Sequence, residues 1–439
     1  MQLNIIKYAP IIEKARTSFW FVPTFMVLSA MILALCTVSI DTFYIDTIEP
    51  FFPLVYKMDI DDIRSLLGTI AGAMITVTSI AFSITIVALT MASAQFGPRL
   101  LRNFMMDTGT QVVLGSFISN FLFCILIFCA ISFQEPYIFK PGLTVIVAMI
   151  MTCSSVGVLI FFIHHVSKSI QADVVIDDVC RELESSIDNL FPSSKNQEKS
   201  VSKAHSKDIG IIKRAKTLKV LAKCSGYVQT IDHEVLVTLA TERNMLIECH
   251  LVPGDFVVQD AVIAIIHADI VVDEDCVNQV CDKVILGAYR TPVQDPEFAV
   301  RQLVEIALRA LSPGINDPYT AITCVDKLNS VLCGLTTRIF PAMRQYDQAD
   351  QLRLVCKVLT FTDLAKAAFD QIRQHANDDV AVTIRLLDSL NELMKFTKNS
   401  EQKEFVIRQS KMIKEQQSKQ LLAEDDLKEI NCRVAAIFK

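Results

Sequence analysis

Four runs free of Asp, Glu, Lys and Arg stand out in the first 168 residues. Measured between flanking charges, they hold 24 residues from Arg16 to Asp41, 34 from Arg64 to Arg99, 27 from Asp107 to Glu135 and 27 from Lys140 to Lys168. A helix crosses the ~30 Å hydrocarbon core with roughly 20 apolar residues. Each run therefore predicts a membrane span, with helices at about 17–40, 66–97, 108–133 and 142–166. After residue 167 the pattern changes to that of a water-soluble region. A helical connector and polar linker are expected over 168–220, a small β-sandwich over 221–270 and a helical domain over 271–439. The fold class expected is thus a membrane all-α domain of four transmembrane helices followed by a cytoplasmic α+β region.

The second run is unlike the others. As a helix, 34 residues would reach about 51 Å at ~1.5 Å per residue, well beyond the apolar core. One face carries Thr69, Gly72, Thr76, Ser79, Ser83, Ile86, Thr90 and Ser93, at spacings that keep them in line on a helix. Ile75, Phe82 and Leu89 lie off that stripe. Small and hydroxyl residues let membrane helices approach closely. Around a symmetry axis the same stripe would line a wetted path, narrowed by Ile86 or Phe82. Both readings stand at this point. The run has no charged residue, and coupled transporters usually keep one in the membrane, so a passive conduit fits better than a pump. Gly97-Pro98 ends the helix. Arg99 and Arg102 follow, either anchoring on anionic lipid or ringing an inner mouth. Asp59, Asp61 and Asp62 precede the run and are the candidates for an outer mouth.

Orientation follows from Lys and Arg beside the spans. Lys7, Lys14, Arg16, Arg99, Arg102 and Lys168 fall on one side, against Lys57, Arg64 and Lys140 on the other. The excess places both termini in the cytoplasm. The first apolar run is too long for a signal-peptide core, so a multi-pass membrane protein is expected.

Composition agrees with a divided chain. Mean hydropathy is +0.39, yet 21% of residues are charged; both hold only if apolar residues are concentrated before Lys168. The net charge of −6 offers no basic field for nucleic acid. The thirteen cysteines are scattered without paired spacing and read as free thiols in a reducing compartment.

In the soluble region, Gly226–Asp232, Asn244–Leu251 and Ala261–His267 alternate as strands do. Their order is similar to the biotinyl and lipoyl carrier scaffold, but no lysine lies between Lys223 and Lys283, which excludes a swinging arm. Gln294-Asp295-Pro296-Glu297 and Asn316-Asp317-Pro318-Tyr319 each place Asp at a helix N-cap and Pro at the first helical position. Arg290, Asp295, Asn316 and Asp317 form a candidate site for a cation or polar ligand, against a plain capping role. Cys224, His233, Cys249 and His250 match no zinc spacing. Residues 400–422 are charged and Gln/Lys-rich and read as an exposed helix or tail. There is no GxxxxGK[ST], GxSxG or HExxH run. No cofactor is expected, and an enzyme using the Asp295–Asp317 region is the weakest class.

Several long runs resemble the predicted bacterial membrane proteins grouped as domain of unknown function 2254. They are Arg64-Ser-Leu-Leu-Gly-Thr-Ile-Ala-Gly-Ala-Met, Ser83-Ile-Thr-Ile-Val-Ala-Leu and Ser93-Ala-Gln-Phe-Gly-Pro-Arg-Leu-Leu-Arg-Asn-Phe-Met. Pro253-Gly-Asp-Phe-Val, Arg290-Thr-Pro-Val-Gln-Asp-Pro-Glu-Phe and Ala310-Leu-Ser-Pro-Gly-Ile-Asn-Asp-Pro-Tyr-Thr-Ala carry it through the soluble region. The resemblance spans about residues 10–400 and implies an inner-membrane protein, with no catalytic residue to transfer. The leading expectation is a homo-oligomeric conduit in the lipid bilayer, with a cytoplasmic domain that takes an ion or small molecule. A membrane-anchored scaffold or ligand sensor is the alternative.

Overall fold

The computed structural model describes residues 20–44, 53–100, 104, 107–132, 141–192, 216–269, 272–420 and 422–438. The chain divides into two compact units, Met1–Val174 and Val175–Lys439.

Among the described residues, the first unit contains four helices long and apolar enough to cross a membrane: α1 (Phe21–Phe43), α2 (Ile60–Phe96), α3 (Thr108–Ser132) and α4 (Gly142–Ser169). α3 is the central one and packs against the other three. Its Val113, Phe117, Phe123, Cys124 and Ile127 are fully buried, and they meet Leu67 of α2 and Val145 and Ala148 of α4. Apolar burial alone does not hold helices together in lipid, so polar ties matter. Asn120 on α3 is fully buried and donates from Nδ2 to Ser155 Oγ on α4 at 3.1 Å.

Two boundaries depart from expectation. α2 starts at Ile60 rather than near 66 and runs 37 residues. Asp61 and Asp62 stand in its first turn, where the helix dipole favours carboxylates. α1 extends past the apolar run and takes Asp41 into its last turn. The charge used to mark the end of the segment is therefore a buried member of the helix.

The second unit opens with α5 (Ala172–Leu190, its first residues in the first unit), which buries Val175, Ile176, Val179, Leu183 and Ile187 along one face. Among the described residues eight strands follow: β1 (Lys216–Leu221), β2 (Gly226–Ile231), β3 (Leu246–Cys249), β4 (Phe256–Val257), β5 (Val262–Ala268), β6 (Val284–Gly287), β7 (Arg344–Tyr346) and β8 (Leu352–Cys356). They form a five-stranded sheet in the order β1-β5-β3-β8-β7 and a three-stranded sheet in the order β4-β2-β6. Only the β3–β8 pairing is parallel among these. Met245, Ile247, Ile263, Ile266 and Leu354 sit in the shared core.

The self-contained β-sandwich expected over 221–270 is not what forms. Its strands are shared between the two sheets, and both sheets recruit strands from beyond residue 270. A helix, α6 (His233–Glu242), also interrupts it. Asp232 caps α6 by accepting from the Val235 amide at 3.2 Å, and Leu236 and Ala240 turn inward at helical spacing. The region 271–439 is likewise not purely helical, since it holds β6, β7 and β8.

The remaining helices are α7 (Glu274–Cys281), α8 (Pro296–Ala310), α9 (Pro318–Leu335), α10 (Phe361–His375), α11 (Val380–Phe396), α12 (Ser400–Gln417) and α13 (Glu424–Ile437). Over 400–422, where an exposed helix or tail is expected, α12 is a helix but is packed rather than exposed. Gln402, Phe405, Val406, Gln409, Ser410, Ile413 and Gln417 face inward, so glutamines occupy much of its packed stripe. Those amides are used: Gln409 accepts from Arg373 Nε at 3.1 Å and donates to Asp370 at 2.6 Å.

Candidate functional site

The packed side of α2 is made by Ile63, Leu67, Ile70, Ala71, Met74, Ala81, Ala92 and Phe96. The hydroxyl stripe lies on the opposite side. Thr69, Gly72, Thr76, Ser79, Ser83, Ile86 and Thr90 are exposed in the protomer, and Ser93 is half-buried. The stripe is thus not the seam along which α2 joins its own bundle. Thr69, Thr76, Ser79, Ser83 and Thr90 each donate to the carbonyl four residues earlier, at 2.8–2.9 Å. Their donors are satisfied, while the oxygen lone pairs still point outward and can accept. Beside Ser79, a cavity of about 190 Å³ is lined by Trp20, Pro23, Thr78, Phe82, Leu114 and Ile118.

Asp59, Asp61 and Asp62 are all exposed around the N-terminus of α2. Asp61 accepts from Arg64 at 3.2 Å. Pro98–Leu100 forms one turn of 3₁₀ helix after α2; the side chain of Arg99 and all of Arg102 lie outside the described residues.

Two polar clusters in this unit were not visible as clusters in the sequence. At one end, Asp41 receives four hydrogen bonds. Its Oδ1 accepts from Tyr56 Oη at 2.7 Å and the Leu143 amide at 3.0 Å. Its Oδ2 accepts from the Thr144 amide at 2.9 Å and Thr144 Oγ1 at 2.7 Å. The carboxylate therefore caps α4 from another helix, where the dipole favours negative charge. Gly142 leaves room for this, because a Cβ there would stand 2.2 Å from the Tyr56 ring. At the other end, Asp107 accepts from the Thr110 amide and hydroxyl at 2.8 and 2.7 Å and lies 2.7 Å from His165 Nε2. Burial raises the Asp107 pKa, but the Thr110 and His165 bonds together outweigh it and leave the group below the ordinary carboxyl value.

In the second unit, Arg290 and Asp295 do meet. Arg290 Nε and Nη2 donate to Asp295 Oδ2 and Oδ1 at 2.7 and 2.9 Å. Asp295 is 1% exposed and also accepts from the Phe298 amide at 3.1 Å, so it is the N-cap of α8. Asp317 caps α9, accepting from the Thr320 amide at 3.1 Å and Thr320 Oγ1 at 2.6 Å. Asn316 beside it has φ of 51°, the left-handed conformation that Asn tolerates. The expectation that these four residues share one site is corrected. Asp295 starts α8 and Asp317 follows its end, so the 15 residues of α8 separate them by about 22 Å. Each pair is a helix start rather than half of a ligand cage. Among the described residues, no group of three or more His, Cys, Asp or Glu is placed to hold a metal ion.

Comparison with known proteins gives a consistent picture. The model of the family described as "Predicted membrane protein (DUF2254)" matches residues 16–392. An uncharacterized protein of Mycobacterium bovis is 30% identical over 390 residues, covering 87% of this chain and 72% of its own. An uncharacterized protein of Mycobacterium tuberculosis (strain H37Rv) matches with the same identity and the same shares. No solved structure matches.

Proposed function

We propose, from the premise that this chain belongs to the DUF2254 family of predicted membrane proteins, that it is a homo-oligomeric passive conduit of the bacterial inner membrane. In this reading α2 lines the path, both termini are cytoplasmic, and the second unit is a cytoplasmic vestibule or sensor. One observation supports it above the rest: the hydroxyl stripe of α2 is exposed on the side away from the protomer's own packing face.

Small residues on an exposed helical face favour close approach of a further helix. In a ring of copies, Thr69, Thr76, Ser79, Ser83 and Thr90 would present outward-facing oxygens at successive turns. Their hydrogens are already held by the backbone, so the acceptor side of each hydroxyl faces the path. Such a surface replaces hydration around a cation or a polar solute. Ile86, 48% exposed in the middle of the stripe, supplies an apolar constriction. Asp59, Asp61 and Asp62 supply acidic groups at the outer end, and Arg99 and Arg102 basic groups at the inner end.

Purified protein in planar bilayers with KCl on both sides is expected to conduct. Thr76→Leu and Ser83→Leu should lower the unit conductance without loss of assembly, as judged by native mass spectrometry. Silence across voltage, tension and pH, or a monomer as the sole membrane species, overturns the reading.

A further inference from the structure

Two cavities in the second unit share a wall. The larger, about 380 Å³, is lined by Asp255, Glu297, Arg301, Asp363, Lys366 and Asp370 among others. The smaller, about 240 Å³, is lined chiefly by Leu190, Phe191, Pro253, Pro296 and Pro341. Val252, Lys357, Val358 and Leu359 line both. The chambers meet where the turn before β4, the start of α8 and the segment between β8 and α10 come together. Junctions between substructures are where ligand clefts concentrate.

The charges of the larger chamber do not cancel in the way a simple count suggests. Glu297 Oε1 accepts from Arg301 Nε at 2.8 Å, and its other oxygen lies 3.6 Å from Arg290. Asp255 accepts from the Val252 amide at 3.1 Å and faces Lys357 at 3.7 Å. Asp363 accepts from the Thr360 amide and hydroxyl at 3.1 and 2.8 Å. Asp370 accepts from Gln409 at 2.6 Å, with Arg373 4.0 Å away. Every lining carboxylate is engaged. Lys366, half-buried, has no hydrogen-bond or ion-pair partner among the described residues.

The smaller chamber is mainly apolar, with Asn189 and Gln294 as its neutral polar members. Its ionisable members are Lys357, shared with the larger chamber, and His233. Burial lowers the His233 pKa and keeps the ring neutral. Its Nε2 has no hydrogen-bond partner among the described residues. The Gln294 side chain is fixed by accepting from the Ile231 amide at 3.0 Å.

We infer that the two chambers are one binding cleft for a small amphiphilic monoanion, its apolar tail in the proline-lined chamber and its carboxylate at Lys366. A cationic head would have to break an ion pair at Asp255, Glu297 or Asp370, and would otherwise meet only Asp363, which is exposed and already caps α10. A phosphate dianion would find one free cation where it needs two. A neutral tail alone would leave Lys366 as it is. The cleft lies outside the membrane helices, and its occupancy does not depend on α2 lining a path.

The test is calorimetric titration of the full chain in lipid nanodiscs, with protein-free nanodiscs subtracted. The probe is hexanoate, with hexan-1-ol, hexylammonium, acetate and inorganic phosphate as comparisons. Hexanoate should bind saturably, and each comparison compound at least about tenfold more weakly. Lys366→Met keeps the aliphatic stem and should weaken hexanoate about tenfold, the effect of one charge-assisted hydrogen bond. Leu190→Trp crowds the apolar chamber alone and should reduce hexanoate to the affinity of acetate. An unchanged melting temperature of both variants separates these losses from misfolding. Absence of saturable hexanoate binding, acetate binding as tightly as hexanoate, or full affinity in Lys366→Met each overturns the inference.

Discussion

His165 Nε2 lies 2.7 Å from Asp107 Oδ2, although the two residues are 58 positions apart in the chain. The contact joins the start of α3 to the last turns of α4. It depends on Gly109, where a Cβ would stand 2.5 Å from the same nitrogen. Phe161 stacks on the imidazole face, with ring centroids 5.2 Å apart. The imidazole is thus packed on one face and carries a carboxylate partner.

Asp107→Asn should destabilise the protein in detergent by about 1.5–3 kcal/mol at neutral pH, the scale of hydrogen bonds to a charged group. The sign of its pH dependence is fixed. The folded-state pKa of Asp107 lies below the ordinary value of 3.8. Its contribution is therefore complete above that value and is lost as pH falls through the folded pKa. Melting curves of wild type and Asp107→Asn should converge in strong acid and diverge towards neutrality. A constant difference down to the most acid pH measured would refute the assignment.

Asp41 makes a second prediction. It is 1% exposed and satisfies donors from Tyr56, Leu143 and Thr144. Asp41→Ala strands several buried donors and should cost about 3 kcal/mol or more. Gly142→Ala should reproduce part of that loss by pushing the Tyr56 ring aside, since the added carbon would sit 2.2 Å from it. Thermal melts of the solubilised variants, with Tyr56→Phe as a milder control, order the three effects.

The four membrane-capable helices were legible because length and lack of charge suffice to mark them. What stayed hidden was polar geometry between distant residues. Asp41 reads as a boundary in a scan for uncharged runs, yet it belongs inside the bundle because α4 offers it three donors. Asp295 and Asp317 have identical sequence settings, each followed by Pro. The apolar stripe from Phe298 to Leu311 marks the helix between them, and its length sets the two caps apart, which a grouping by residue type overlooks. The β region misled for a related reason: β3 pairs in parallel with β8, about a hundred residues on, and no periodicity records a pairing that distant. α12 was misread because Gln402, Gln409 and Gln417 count as polar in any pattern, while here their amides face inward.

The Arg290–Asp295 pair should behave as a structural clamp. Removing one member leaves the other buried without compensation, which typically costs about 3–5 kcal/mol. Arg290→Met and Asp295→Ala are therefore each expected to unfold the second unit at lower denaturant. Asp317→Ala removes a half-buried N-cap and should cost only about 1 kcal/mol. Chemical denaturation of the three variants checks the ranking. Equal effects would mean that Asp295 is no more than a cap.

All thirteen cysteines are free thiols, and burial should sort their reactivity. Desolvation pushes Cys180 up to about 11 and Cys356 up to about 11, and Cys324 rises further for the same reason. The thiolate is the nucleophile, so these are nearly inert at pH 8. Cys224 and Cys432 are exposed. Iodoacetamide followed by peptide mass spectrometry should label those two first within the second unit. Early labelling of Cys324 would contradict its burial.

The two faces of α2 give the sharpest contrast between stability and function. Leu67 is fully buried against the bundle, so Leu67→Ala should cost about 2–5 kcal/mol through lost contacts and a cavity. Ser83 is exposed in the protomer, and its hydroxyl donates to the Ser79 carbonyl of its own helix. Ser83→Leu should leave the protomer's unfolding within about 0.5 kcal/mol of wild type, as for other exposed positions. If copies of α2 surround an axis, the same change narrows that axis with a branched apolar side chain. The expected outcome is therefore a variant with an unchanged protomer melt but altered oligomer stability or conductance. If Ser83→Leu instead changes nothing in assembly or conductance, the stripe simply faces lipid. If it lowers the protomer melt as Leu67→Ala does, α2 packs through the opposite face from the one described.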